Sequence, residues 1–217
     1  MVCPKPEAES PKPLVLVVGT RNKKKLREIE TILESLPVEL KLLDDFPDAP
    51  EVEEDADTFA GNATKKAQTL ANALHEWVVA DDSGLEIDAL EGRPGVMSAR
   101  YAGLDATDAQ KCEKVLAEMQ GVPREKRTAR FRCVIALARP GKLALTVEGR
   151  CEGFIAEKMS GKSGFGYDPV FYYPSAGRTF ADMAPEEKNR VSHRGKALAL
   201  FREELGRCVL HGESSPQ

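Results

Sequence analysis

The first part of the chain alternates between strand-like and helix-like apolar patterns. Residues 14–18 are an unbroken apolar run typical of a buried strand. Apolar residues then recur at helical spacing over residues 26–36, and Pro37 ends the pattern. Residues 38–43 alternate as a strand, and residues 58–76 carry one apolar stripe at helical spacing. This alternation of strands and helices predicts an α/β fold.

The second part of the chain predicts a hairpin. Residues 130–138 alternate between apolar and polar, and residues 143–151 form a second strand-like run after a proline-glycine turn. Because strands joined in this way pair antiparallel, the sheet is expected to be mixed. Residues 107–110 resemble a capping box that begins a helix. Residues 185–189 are predicted to form a turn, and Ser192 to begin a last helix.

Two adjacent acids follow a short predicted strand, residues 77–80. In open α/β sheets, ligands bind beyond the carboxyl ends of the strands, where Asp81 and Asp82 are expected. Two neighbouring carboxylates repel each other, so they call for a metal ion, a lysine or a shared proton. Ser83 and Gly84 predict a turn in which backbone comes close to a ligand. An acidic turn that caps a helix accounts for this stretch equally well.

Composition limits the function classes. The chain has 217 residues, 41% of them hydrophobic, and a net charge of −4. We expect one domain at residues 13–211, with disordered tails at residues 1–12 and 212–217. The acidic balance argues against nucleic-acid partners, and no apolar run approaches the ~20 residues of a membrane span. Five scattered cysteines without a Cys-x-x-Cys pair argue against a zinc site and for a reducing cytoplasm.

A basic cluster begins the first predicted helix. It follows the short turn of residues 19–22 and comprises Lys23, Lys24, Lys25 and Arg27. Cations at a helix N-terminus destabilise the helix unless an anion sits there, so the cluster predicts a phosphate site. The alternative is a solvated basic face.

The acidic stretch at residues 44–57 contains eight carboxylates and no base. Most of them fit a solvated loop. One that reached Asp81 and Asp82 would complete a magnesium site, because Mg²⁺ prefers hard oxygen ligands and keeps several waters. Glu53 and Glu54 are both candidates, and spacing alone does not choose between them.

A glycine-rich aromatic loop spans residues 160–169. Flexible backbone around Phe165 suits stacking on a flat ring, and Asp168 can accept hydrogen bonds. A glycine turn with Phe165 packed into the core is the alternative. His193 and Arg194 place donors at the start of the last helix, although a lone histidine there is more often a cap or a surface residue.

Together these features describe a nucleotide pocket, and here the chain resembles the inosine/xanthosine triphosphate pyrophosphatases over about residues 14–205. The resemblance rests on six motifs in family order: Thr20-x-Asn22-x-x-Lys25, Thr58-Phe59-x-x-Asn62-Ala63-x-x-Lys66-Ala67, Ala80-Asp81-Asp82-Ser83-Gly84-Leu85, Pro94-Gly95-Val96-x-Ser98-Ala99-Arg100-Tyr101, Gly164-Phe165-Gly166-Tyr167-Asp168-Pro169 and Ser192-His193-Arg194-Gly195.

The resemblance implies an α/β fold with a mixed central sheet flanked by helices, two lobes with an active-site cleft between them, and a homodimer. It implies Mg²⁺-dependent hydrolysis of ITP, dITP and XTP to the monophosphate and pyrophosphate. Asp82 would be the catalytic acid/base, and Glu53 and Asp82 would be the metal ligands. The substrate-binding positions would be Thr20, Arg21, Asn22, Lys23, Lys24, Lys25, Lys66, Ser83, Phe165, Gly166, Tyr167, Asp168, Lys188, His193 and Arg194.

Two departures from the family pattern bear on these expectations. Arg21 stands where a glycine is common, and Gly61 where many members have glutamate. Two other functions fit a similar pocket: a pyrophosphatase for modified pyrimidine or methylated nucleotides, and a non-enzymatic nucleotide sensor.

Overall fold

Seven strands and five α-helices make up the part of the chain that the computed structural model describes, residues 14–33 and 38–207. Both predicted tails lie outside these residues. The strands are β1 (Leu14–Val18), β2 (Val38–Leu42), β3 (Trp77–Ile87), β4 (Thr128–Arg139), β5 (Lys142–Ile155), β6 (Phe171–Tyr173) and β7 (Arg178–Thr179). The helices are α1 (Lys23–Leu33), α2 (Phe59–Leu74), α3 (Asp108–Glu118), α4 (Pro185–Val191) and α5 (His193–Leu205).

All seven strands belong to one sheet, in the order β2-β1-β3-β4-β5-β6-β7. β1 pairs in parallel with β2 and β3, whereas every pair from β3 to β7 is antiparallel. The predicted mixed sheet is therefore confirmed, including the hairpin of β4 and β5. The two-lobed shape stays a prediction.

The strand that carries the acidic pair is longer than expected. The predicted turn at Ser83-Gly84 is wrong, since β3 continues through both residues to Ile87. β4 pairs with β3 along this whole stretch, and a continuous ladder outweighs the local preference of serine and glycine for a turn. On its other side, β3 pairs with β1 only as far as Val79. Asp81 and Asp82 therefore lie just beyond the end of β1, in the interior of a strand.

Alternation along β3 sends its neighbouring residues to opposite faces of the sheet. Val79 belongs to the apolar cluster formed with α1 and α5, and Val78 and Ala80 belong to the cluster formed with α2. Asp81 continues the first series, and Asp82 the second. The two acids therefore meet different helices, although they are adjacent in sequence.

The helix starts follow local chemistry. The predicted capping box is confirmed, because the Thr107 hydroxyl accepts from the backbone N–H of Gln110 and the Gln110 side chain accepts from that of Thr107. Ser192 caps α5 as expected. The predicted turn at residues 185–189 is wrong: Pro185 begins α4, with two glutamates in its first turn, a sequence that favours a helix start. Within the described residues, no helix is both long and apolar enough to cross a bilayer.

Candidate active site

A cavity of about 450 Å³ lies beyond the end of β1 and gathers most of the predicted site residues. These are Asn22, Lys23, Lys25, Asp82, Ser83, Phe165, Gly166, Tyr167, Asp168, Lys188, His193 and Arg194. The cavity therefore brings together cations of the α1 start, Asp82 and the aromatic loop. The sequence motifs therefore converge on one site.

Three other predicted residues line an adjoining groove. Thr20, Arg21 and Lys66 lie there, and Glu54 lines both the groove and the cavity. Arg21 pairs with Asp44 at 3.5 Å. The side chain of Lys24 lies outside what the structure describes. The two hollows therefore share Glu54 as a lining residue, and basic side chains line both of them.

Asp81 is the centre of a buried charge cluster. Its Oδ2 lies 3.0 Å from Lys25 Nζ and 3.4 Å from Arg194 Nη2, and the side chain is 2% exposed. Although burial opposes ionisation, these two cations and Lys66 lower the pKa of Asp81 far below its usual value. Asp81 is therefore ionised, and its ion pairs with Lys25 and Arg194 link α1 to α5.

Arg194 extends this cluster into the cavity. Its Nη1 donates to Glu28 Oε2 at 2.8 Å, and its Nη2 donates to Ser83 Oγ at 2.8 Å. The Glu28 and Asp81 carboxylates and the Ser83 hydroxyl therefore hold the guanidinium in one orientation, and Arg194 is only 3% exposed. A cation fixed in this way presents the same donors to any ligand that enters the cavity.

Asp82 has a different environment. Its Oδ2 accepts from Asn62 Nδ2 at 2.9 Å, and its Oδ1 accepts from the backbone N–H of Ser83 at 2.8 Å. Burial raises the pKa of Asp82, and repulsion from Glu54 adds to the rise. The carboxylate is oriented by hydrogen bonds but has no cation bonded to it among the described residues. It is the carboxylate of the pair that can take up a proton or a cation.

Glu54, rather than Glu53, faces the cavity. Glu53 is exposed, whereas Glu54 is half-buried and pairs with Lys66. Burial alternates between exposed and half-buried over residues 51–56, so Glu53 and Glu54 differ in exposure although they are adjacent. Lys66 also donates to the backbone carbonyl of Asp81 at 3.1 Å. Although burial works against its charge, Glu54 and Asp81 raise the pKa of Lys66.

The donor set at this point fits magnesium. Among the described residues, no group of three or more His, Cys, Asp or Glu is arranged to hold a metal ion. Asp82 and Glu54 nevertheless place two hard carboxylates on the wall of one cavity, and their mutual repulsion favours a cation between them. Mg²⁺ is commonly held by one or two carboxylates, with waters and phosphate oxygens as its other ligands.

The aromatic loop lines the cavity with four of its residues, Phe165 to Asp168. Asp168 Oδ2 accepts from the backbone N–H of Phe165 at 2.8 Å and from Lys188 Nζ at 2.5 Å. The Phe165 ring is half-buried, with Lys188 Nζ 4.6 Å and Arg194 Cζ 5.5 Å from its centroid. The ring thus lines the cavity instead of packing into the core. Tyr167 supports the loop from below, its hydroxyl donating to the Ser98 carbonyl at 2.8 Å.

His193 is neither a cap nor a surface residue. Ser192 is the cap, and His193 is buried with its ring stacked 4.6 Å from that of Phe131. Burial, together with the nearby charges of Arg194 and Lys188, lowers the pKa of His193 well below its usual value. Its imidazole is therefore neutral, and its Nδ1 has no hydrogen-bond partner within the described part of the chain.

Sequence reasoning missed several residues of this site. Ser98, Asp108, Lys111 and Phe131 line the cavity, and Asn62 orients Asp82. Asn62 and Ser98 stand in motifs that carry the family resemblance, and these motifs are the signal that could have identified them. Asp108 and Lys111 lie on α3 in a stretch without unusual chemistry, so only the tertiary fold identifies them.

Comparison with known proteins agrees with the sequence motifs. The sequence model of the Ham1 family matches residues 16–204. The dITP/XTP pyrophosphatase of Geobacillus kaustophilus is 53% identical over 194 residues, which cover 89% of this chain and 95% of that protein. The dITP/XTP pyrophosphatase of Shouchella clausii is 54% identical over 190 residues, covering 88% and 96%.

Solved structures share the architecture. The HAM1 protein from Coxiella burnetii superposes with a TM-score of 0.83 at 42% sequence identity, covering 88% of this chain and 98% of that one. A family match across nearly all of the described residues, relatives above 50% identity and a common fold lead to one conclusion. The chain belongs to the Ham1 family.

Proposed function

We propose that the protein hydrolyses non-standard purine nucleoside triphosphates (ITP, dITP and XTP) to the nucleoside monophosphate and pyrophosphate, with Mg²⁺ as its cofactor. The observation that carries this proposal is the single cavity joining the α1 cations, the Asp82 carboxylate and the Phe165 ring. Each part suits one part of a nucleotide: phosphates, reacting centre and base. The relatives named dITP/XTP pyrophosphatases support the same activity.

The cations hold the triphosphate. Lys23 and Lys25 at the start of α1 lie in the cavity, and Lys66 lies in the adjoining groove. Phosphates bind readily at a helix N-terminus, where backbone N–H groups and positive charge converge. In a displacement at phosphorus, such groups act by neutralising the charge that builds up on the leaving pyrophosphate.

Asp82 orients the attacking water and accepts its proton. The hydrogen bonds from Asn62 and from the Ser83 backbone fix the carboxylate in one orientation. A raised pKa brings a carboxyl group closer to the range in which a general base is effective near neutral pH. Water then attacks the α-phosphorus, and pyrophosphate leaves.

Asp82 and Glu54 would hold the magnesium ion, because both line the cavity. The family resemblance implies Glu53 in place of Glu54, and that assignment stays a prediction. When bound, Mg²⁺ would supply neutralisation of phosphate charge and a lower pKa for a coordinated water. Glu54 would leave Lys66 in part to do so. The freed ammonium would then be available to a phosphate.

Base selection follows from the donors around the aromatic loop. Hypoxanthine and xanthine carry a carbonyl acceptor at position 6, where adenine carries an amino donor. Arg194 and Lys188 are donors only, so they favour the carbonyl. An adenine amino group would set a donor against these donors, and a mismatch of buried polar groups costs about 10⁴-fold in rate at sites that read hydrogen bonds. The proposal further includes a homodimer, which rests on the family resemblance, and a location in the cytoplasm, which rests on the cysteine usage.

The test is a substrate panel. We expect Mg²⁺-dependent release of pyrophosphate from ITP, dITP and XTP, with IMP, dIMP and XMP as the products and ATP and dTTP nearly untouched. Equal substrate concentrations and product identification by chromatography make the comparison direct. Modified pyrimidine and methylated nucleotides complete the panel, and their turnover in place of the purines would replace the base selection proposed here. Binding of all nucleotides without turnover would identify a sensor.

The two adjacent glutamates offer a matched test of the metal site. Because Glu54 lines the cavity and Glu53 is exposed, we expect Glu54→Gln to raise the Mg²⁺ concentration for half-maximal rate about tenfold, the lower end of the effect expected for residues that support a metal site. Glu53→Gln should change it less than twofold. Direct titration with Mn²⁺ gives the same comparison without turnover. The reverse ranking would assign the ligand to Glu53.

A further inference from the structure

A helix that carries no predicted site residue contacts the aromatic loop at Gly166. Asp108 is the first residue of α3, and its Oδ2 accepts from the backbone N–H of Gly166 at 2.8 Å. One turn later, Cys112 Sγ lies 3.3 Å from the Gly166 carbonyl. The two side chains share a face of α3 because they are four residues apart. Both peptides that flank Gly166 are therefore fixed to the same helix.

These contacts are chemically matched. Burial and the neighbouring Asp108 raise the pKa of Cys112 to about 12, so the thiol stays protonated and can donate. Lys111 Nζ lies 2.8 Å from Asp108 Oδ1, which leaves Oδ2 directed at the loop. Gly166 has a φ of +61°, a conformation that glycine adopts without strain. Such a position stays well defined only if its surroundings fix it.

A second backbone hydrogen bond fixes the loop independently of α3. Asp168 accepts from the backbone N–H of Phe165, so the two peptides on either side of Phe165 are bonded to different parts of the protein. Phe165 N–H is bonded to the buried carboxylate of Asp168, and Gly166 N–H to the Asp108 carboxylate on α3. The position of the Phe165 ring depends on both bonds.

We propose that Asp108 is a positioning residue for base recognition: its carboxylate fixes the Phe165–Gly166 peptide and thereby holds the Phe165 ring in place for stacking on the purine. This inference rests on the proposed function, since it assumes that the aromatic end of the cavity receives the base. Asp108 acts through the loop and takes no part in the chemistry at phosphorus.

The test separates the base from the phosphates. For Asp108→Ala we expect KM for ITP to rise about tenfold, the upper end of the effect of one lost hydrogen bond, with kcat within twofold of the wild-type value. Inhibition by tripolyphosphate, which has no base, should be unchanged. Asp108→Asn keeps an oxygen acceptor and should restore KM to within twofold. Glu113→Ala, an exposed position on the same helix, is the matched control.

A double variant tests whether the effect passes through the ring. In a Phe165→Ala background, Asp108→Ala should add less than a twofold change in KM. Cys112→Ala removes the second contact and should give a smaller rise in KM with the same unchanged tripolyphosphate inhibition. It keeps the inference testable if Asp108→Ala folds poorly.

Three outcomes would overturn the inference: equal weakening of ITP and tripolyphosphate, additive effects of the two substitutions, or failure of Asp108→Asn to rescue. Failure of the proposed function is distinguishable, because it would appear in the wild-type protein as absence of ITP turnover. In that case, the same variants can be compared by direct binding of ITP and tripolyphosphate.

Discussion

Asp82→Asn should lower kcat for ITP by about 10³-fold, within the range that a positioned general base contributes. The substitution keeps the shape of the side chain and leaves an oxygen that can accept from the Ser83 backbone. It removes the group that accepts the proton. It also removes a negative charge beside Glu54. Single-turnover measurement of pyrophosphate release reports the chemical step directly.

Nucleotide binding should survive this substitution. Lys25, Phe165 and Arg194 line other parts of the cavity and do not bond to Asp82. We therefore expect the Kd for ITP, measured by calorimetry in the absence of turnover, to change less than about threefold. Asn62→Ala is the graded comparison, because it removes a hydrogen bond that orients Asp82 while leaving the carboxylate. A near-normal kcat for Asp82→Asn would remove Asp82 from the chemistry.

Much of the fold and of the site is readable from the sequence because the relevant signals are local. Apolar periodicity marks β1, α1 and α2, and a capping box marks the start of α3. The lysines at the start of α1 predict a phosphate site, because cations are unfavourable at a helix N-terminus unless an anion binds there. Such features belong to a few neighbouring residues and do not depend on the rest of the chain.

The remainder depends on pairing between distant parts of the chain. β3 continues through Ser83 and Gly84 only because β4, fifty residues farther on, supplies a partner for them. The choice between Glu53 and Glu54 depends on which of the two side chains lines the cavity with Asp82. Asp108 joins the site because α3 lies against a loop that follows it by almost sixty residues. No local pattern contains these facts.

The same reasoning distinguishes the two adjacent acids by stability. Asp81→Asn should lower the free energy of unfolding by about 3 kcal/mol, the lower end of the cost of breaking a buried ion pair. The substitution leaves Lys25 and Arg194 facing a neutral amide in a buried cluster. Asp82→Asn, on the same strand, should destabilise the protein by less than Asp81→Asn, because removal of a buried charge offsets the loss of one of the two hydrogen bonds that Asp82 accepts. Burial works against the Asp82 charge, and no cation bonded to it among the described residues compensates. Urea unfolding at pH 7 gives both values.

The pH dependence provides an independent check, because the two carboxyl groups are shifted in opposite directions. The pKa of Asp81 is lowered in the folded protein, so its contribution is fully present above the unfolded value of about 3.9. That contribution is lost as the pH falls towards the folded value. The difference in stability between wild type and Asp81→Asn should therefore be constant from about pH 5 to pH 7 and shrink below about pH 4.

A difference that stays constant down to pH 3, or equal destabilisation by both substitutions, would show that Asp81 does not hold Lys25 and Arg194 by its charge. If the two variants do diverge, the acidic pair is divided between two tasks: Asp81 stabilises the site, and Asp82 retains a costly charge that the reaction uses.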